Sequence, residues 1–145
     1  MRKIATLTAA LVALALPAAA MAENLQQTGY IVGDKAATVK LRVKVKGGDP
    51  VKVAGFRAKN VVARCGKDTI RIQLTALSPV AVKGDGDFKV RLGDGEGGIL
   101  RISGHVENRG RSTTGNVKTN EFDQGDKTCK VPKQGFKTSA ASTGK

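Results

Sequence analysis

The chain has 145 residues, with 25 Lys and Arg against 12 Asp and Glu, a formal net charge of +13, one His, no Trp and one Tyr. That length holds one ordinary domain with one core. The aromatic poverty disfavours sugar-stacking lectins and single-strand nucleic-acid binders, which stack rings or bases on aromatic platforms, and the lone His105 leaves little for acid–base or nucleophilic catalysis.

The N-terminus opens MRKIATLTAALVALALPAAAMAENLQ. Arg2 and Lys3 are followed by an apolar run, Ile4 to Leu16, too short to span a bilayer comfortably. Pro17 breaks that run, and Ala20-Met21-Ala22 has the small-x-small form of a cleavage site. The pattern predicts a signal peptide over 1–22, cut before Glu23, in preference to a retained anchor. No Cys follows the run to carry a lipid, and no second apolar segment closes the chain. A secreted or cell-envelope protein with no transmembrane segment after cleavage is the expectation. Every acidic residue lies beyond position 22, so losing Arg2 and Lys3 from the +13 leaves +11 on the mature chain.

Beyond the leader the apolar period is two. In TVKLRVKVKGG, Val39, Leu41, Val43 and Val45 share one face, and Lys40, Arg42, Lys44 and Lys46 the other. Gly47-Gly48-Asp49-Pro50 ends the strand. VKVAGFRAKNVVARC continues as one bent strand or two short ones, with Gly55 marking a bulge. TIRIQLTAL turns Ile70, Ile72 and Leu74 inward, and FKVRL does the same with Phe88, Val90 and Leu92. GGILRISGHVE places Leu100, Ile102 and Val106 inward and Arg101, Ser103 and His105 outward. ENRGRS reads as a hairpin turn, TTGNVKTN as the returning strand, and a last strand surrounds Phe136. Eight or nine such strands with no 3.6-residue period predict an all-β, antiparallel β-sandwich, immunoglobulin-like or similar, over 23–138. SAASTGK, 139–145, is expected to be a flexible tail.

Export carries Cys65 and Cys129 into an oxidising space, which predicts one disulfide between them. On the chain-entropy model such a crosslink contributes about 4 kcal/mol. Zinc ligation or a catalytic thiol are the alternatives, and each would depend on His105 alone for an imidazole.

KGDGDFKVRLGDGEGGIL, Lys83 to Leu100, gathers acids and glycines in an otherwise basic chain. A calcium loop needs six to eight converging oxygens, and Lys89 stands where an EF-hand pattern starting at Asp85 needs its third. Phe88 to Leu92 is extended, so Asp87 and Asp94 lie about 20 Å apart or more and cannot share one ion. The two acidic segments are therefore expected to be turns, in which Gly supplies positive φ and Asp bonds locally. No metal or other cofactor is expected. Gly-x-Ser-x-Gly is absent, Ser103 lies two residues from His105, and GDGEGG lacks the Lys and Ser/Thr of a phosphate loop. A non-catalytic protein is the expectation, with a small secreted hydrolase using His105 as the remote alternative.

The order of features resembles a group of exported single-domain β-sandwich proteins of high-GC Gram-positive bacteria. The shared pattern runs from Gly29-Tyr30-Ile31-Val32-Gly33 through Phe56 to Cys65, then Pro79-Val80-Ala81-Val82-Lys83-Gly84-Asp85-Gly86-Asp87-Phe88. It continues with Ser103-Gly104-His105-Val106 and Gly115-Asn116-Val117, and ends on Cys129 and Phe136, where the pattern carries Trp. The resemblance implies a disulfide-tied β-sandwich and no catalytic residues.

The charge remains. Lys40, Arg42, Lys44 and Lys46 form one basic stripe, and Arg71, Lys89, Arg91 and Arg101 extend it if their strands share a sheet. Such a face attracts anionic envelope polymers by backbone charge, with no specific nucleic acid implied; a solvated face that only keeps the protein soluble is the plainer reading. A protein-binding module acting through loops such as ENRGRS, on another exported protein, is a further alternative. A monomer is expected.

Overall fold

An alternating apolar and charged sequence can satisfy both halves only as a strand with one face on a core. In the computed structural model, which describes residues 22–141, the chain does this in eleven strands. They are β1 (Ala22–Ile31), β2 (Asp34–Lys46), β3 (Asp49–Cys65), β4 (Asp68–Ala76), β5 (Val80–Ala81) and β6 (Asp87–Gly93). There follow β7 (Ile99–Glu107), β8 (Ser112–Thr119), β9 (Phe122–Gln124), β10 (Lys127–Cys129) and β11 (Gln134–Ala140). The expected leader lies outside the described residues, apart from Ala22, the first residue of β1.

The strands form two antiparallel meanders, β1 to β4 and β6 to β8. β11 returns between them and pairs with both β1 and β8. The hydrogen-bonded order is therefore β4-β3-β2-β1-β11-β8-β7-β6, with β5 added on β3 and β9–β10 as a separate hairpin. The all-β antiparallel fold with nine strands in its main sheet is as expected; the two halves are joined edge to edge through β11 rather than standing as detached sheets. Edge strands β4 and β6 both border one cleft of about 560 Å³, so the sheet curls around its apolar face.

That inner face carries one continuous core. β2 contributes Val39, Leu41, Val43 and Val45, and the distant strands contribute Phe88, Ile102 and Val117. Phe56 of β3 and Phe136 of β11 meet edge to face, ring centres 5.5 Å apart. Gln27, Thr113 and Thr138 are buried polar residues at one end of the core. Thr138 Oγ1 donates to Gln27 Oε1 at 2.6 Å, and Gln27 Nε2 donates to the carbonyl of Gly110 at 2.7 Å. The disulfide joins Cys65 at the end of β3 to Cys129 at the end of β10. Beside it, Arg64 and Lys130 exchange two backbone hydrogen bonds of 2.8 Å.

β3 is one bent strand. Arg42 pairs with Gly55 but Val43 with Val53, so an extra residue bulges out beside Gly55 as its sequence suggests. Two local expectations need correction. Leu92 is 39% exposed, because β6 runs out from under the core before its last turn of side chains. Ile70 and Ile72 do face the core as expected, though only half-buried because β4 is an edge strand. Ser139 and Ala140 belong to β11 rather than to a tail, since they pair with Thr28 and Gln27.

Candidate anion-binding faces

Because the inner parity of each strand is taken by the core, the charged parity is forced outward. On β2, Lys40, Arg42 and Lys46 are exposed and Lys44 is half-buried. The neighbouring strand does not neutralise most of them. Lys40 stands directly opposite Arg57, and Lys44 opposite Lys52, whereas Lys46 faces Asp49. Like charges placed directly across a ladder are destabilising. Arg42 faces Gly55, whose missing side chain opens a hollow of about 140 Å³ bordered by Lys40, Arg42 and Arg57.

The second meander repeats the arrangement. Lys89 and Arg91 on β6 and Arg101 on β7 are exposed, and Arg91 lies directly opposite Arg101. Arg101 in turn lies opposite Lys118 of β8. Among the described residues, none of these cations makes an ion pair; the two cations from Lys or Arg that do are Arg71 and Lys127.

The register corrects the expectation of one extended patch. Lys40 is level with Thr28, Ser139, Ser112 and Glu107 along the pairing of β2, β1, β11, β8 and β7. Arg101 lies six residues from Glu107 in one direction, about 20 Å. Lys46 lies six residues from Lys40 in the other, so the two clusters diverge to about 40 Å along the strands. Outward Thr28 and Lys137 occupy the strands between. Arg71 joins neither cluster: its guanidinium donates to Asp34 Oδ2 at 3.0 Å and to the carbonyl of Asn60 at 2.8 Å, which spends it on bracing the β1–β2 turn against β4. Arg57, Lys52 and Lys118 were not singled out from sequence. Their outward parity is legible there, but their partners across the ladder are not.

His105 is not isolated. β6 and β7 set Asp87 directly opposite it, with Nδ1 of the ring 2.8 Å from Asp87 Oδ1. Glu107 Oε2 is 3.9 Å from Nε2. The hydrogen bond to Asp87, opposed by desolvation and helped by the charges of Asp87, Glu107 and Asp85, raises the imidazole above its ordinary 6.5. The pair borders a depression of about 530 Å³ that also includes Lys83, Phe88, Ser103 and Thr114. No hydroxyl is hydrogen-bonded to the ring among the described residues.

The acidic segments are turns. Asp87 N–H donates to Asp85 Oδ1 at 3.0 Å, and Gly86 sits at φ 98°. Asp94 Oδ1 accepts from the N–H groups of Glu96 and Gly98 at 2.7 and 2.9 Å. One carboxylate oxygen each of Asp85 and Asp94 is thus used locally, at opposite ends of β6. Among the described residues no helix is long and apolar enough to cross a membrane. No family model matches this chain, and no curated protein or solved structure matches it either.

Proposed function

We propose that this chain is an exported, non-catalytic β protein of the cell envelope, akin to the exported β-sandwich group whose pattern it resembles, that binds anionic polymers through its basic strand faces. The observation that carries the reading is the cross-strand pairing of like charges, Lys40 with Arg57 and Lys44 with Lys52, with no ion pair to relieve it among the described residues. Across a ladder unlike charge pairs stabilise and like charges directly opposite cost. A polyanion laid across the strands turns the repulsion into attraction and releases its counterions. The disulfide fits an oxidising compartment and the leader pattern an exported chain.

The test is binding of the oxidised mature chain to a panel of anionic polymers across a salt series, beside an unrelated protein of matched charge. Tighter binding than the control, with log Kd steep in log salt, is expected. Reversing charge at Lys40, Arg42 and Lys44 should remove binding at the β2 face with Tm unchanged or raised, since Lys40–Arg57 and Lys44–Lys52 become unlike pairs. Binding no better than the control would overturn the proposal and leave the charge as a solubility feature.

A further inference from the structure

The outer face of β6, β7 and β8 holds a second basic feature, with a larger hollow than the β2 stripe and more cations around it. A depression of about 350 Å³ is lined by Lys89, Arg91, Arg101, Lys118 and Lys133, and no carboxylate borders it. Its other polar side chains are Ser103 and Asn116.

The register arranges these groups in two parallel rows. Arg91, Arg101 and Lys118 stand directly opposite one another across three neighbouring strands. One level away, Lys89, Ser103 and Asn116 do the same. The first row is all cationic, and the second offers one cation and two neutral donors. Strands in a sheet lie about 4.8 Å apart, so each row spans about 10 Å. Edge protection explains charge on β6, which is an edge strand, but not on β7 and β8, which are paired on both sides. A solvated face has no reason to concentrate five cations around one hollow and exclude every acid from its rim.

The donor set also discriminates between anions. A carboxylate presents two coplanar oxygens, which one guanidinium satisfies. Two rows of donors on different strands suit an anion with oxygens pointing in several directions and more than one charge. A phosphate group has both properties, with three acceptor oxygens on a monoester and up to two negative charges. Arginine is the side chain whose planar fork best matches it, and lysine adds a point charge.

We propose that the β6–β8 depression is a phosphate-binding site, in which Arg91, Arg101 and Lys118 grip the phosphate oxygens and Lys89 and Lys133 flank them. It rests on the reading of the basic faces as binding surfaces and narrows it to one site and one ligand chemistry. The phosphate belongs either to a compact free polyphosphate or to a phosphodiester chain, whose single charge and two free oxygens per group require successive groups to fill the two rows.

The experiment is an NMR titration of the oxidised, isotope-labelled mature chain at fixed ionic strength. The probes are inorganic tripolyphosphate, citrate and a glycerol-phosphate oligomer. Tripolyphosphate or the oligomer should shift the amides of β6, β7 and β8 and bind at least about tenfold more tightly than citrate, as expected for losing the match of one charged pair. Whichever of the two binds more tightly identifies the source. The double variant R101Q/K118Q should weaken that binding by at least about tenfold, with Tm unchanged or raised because like-charge repulsion is removed. Should that double variant not fold, R91Q alone carries the same expectation. The variant K35Q/K67Q, at two exposed lysines outside both basic clusters, should leave tripolyphosphate binding untouched. Equal weakening in both variants, or citrate binding as tightly as tripolyphosphate, overturns the site. Polymer binding lost in K40Q/K44Q without any shift at β6–β8 overturns this site while leaving the broader reading intact. Shifts confined to β6–β8, with polymers bound no better than by the charge-matched control, uphold this site and overturn the β2 stripe.

Discussion

His105 shows how far a single residue depends on its neighbour across the ladder. On its own strand it is an outward imidazole between Gly104 and Val106. Paired with Asp87 it becomes an oriented, proton-holding ring. Its folded pKa is raised above 6.5 by the hydrogen bond to Asp87 first, then by the charges of Asp87, Glu107 and Asp85, against the desolvation of the ring. The protonated ring is therefore favoured in the folded state. Its contribution is fully present below the unfolded value of about 6.5 and is lost as pH rises through the higher folded value. A proton-NMR titration of the ring should give a pKa above 6.5 in the native chain, returning toward 6.5 in D87N. An unshifted His105 in the native chain would show that the pair does not form in solution. Thr113 offers the opposite lesson: its Oγ1 is buried without a hydrogen-bond partner among the described residues, and nothing in the alternation of β8 marks it out.

At the scale of elements, β11 decides the architecture. It is the strand that joins the two meanders, and its seam with β1 is close. Gly29 of β1 lies opposite Thr138, and a Cβ at Gly29 would run into the backbone carbonyl of Lys137. A side chain in that path could rotate away, but a strand backbone cannot move without breaking its own ladder. G29A is therefore expected to cost about 1–3 kcal/mol, the range of an overpacked site, read as a lower urea midpoint. A midpoint equal to that of the native chain would mean that β1 and β11 lie further apart than described.

Most elements were legible in the sequence because their alternation is strict. Val39 to Val45 and Leu100 to Val106 face the core as their parity demands. The bulge beside Gly55 was legible too, as a glycine inside a strand pattern. The short hairpin of β9 and β10 was not, because FDQ and KTC carry no alternation and depend on the nearby disulfide for their place. Of the candidate site, the identity of the outward cations was legible, but their grouping was not. Arg71 looks like Arg91 in sequence, yet it is tied to Asp34, thirty-seven residues away.

For the whole molecule, the crosslink is the feature with the longest reach. Cys65 and Cys129 are 64 residues apart, and they fasten the separate β9–β10 hairpin to the end of β3 in the first meander. C65S/C129S is expected to cost about 2–5 kcal/mol, measured by chemical denaturation, and reducing agent should have the same effect on the native chain. Loss of less than that range would place the stability of the fold in the β11 seam and the shared core instead.

The sequence by itself determined what is local: the period of two, the turns built on Gly and Asp, the inward and outward parity of each strand, and the surplus of positive charge. Each follows from the chemistry of residues a few positions apart. The tertiary structure alone decided what depends on register between strands distant in sequence. It set β11 between β1 and β8, split one anticipated basic face into two clusters, drew Arg71 out of both, brought Asp87 to His105, and aligned Arg91, Arg101 and Lys118 in one row. Register is fixed by the fit of two faces and the turns that join them, so a shift of one strand by two residues would preserve every inward side chain and yet give each outward cation a different neighbour.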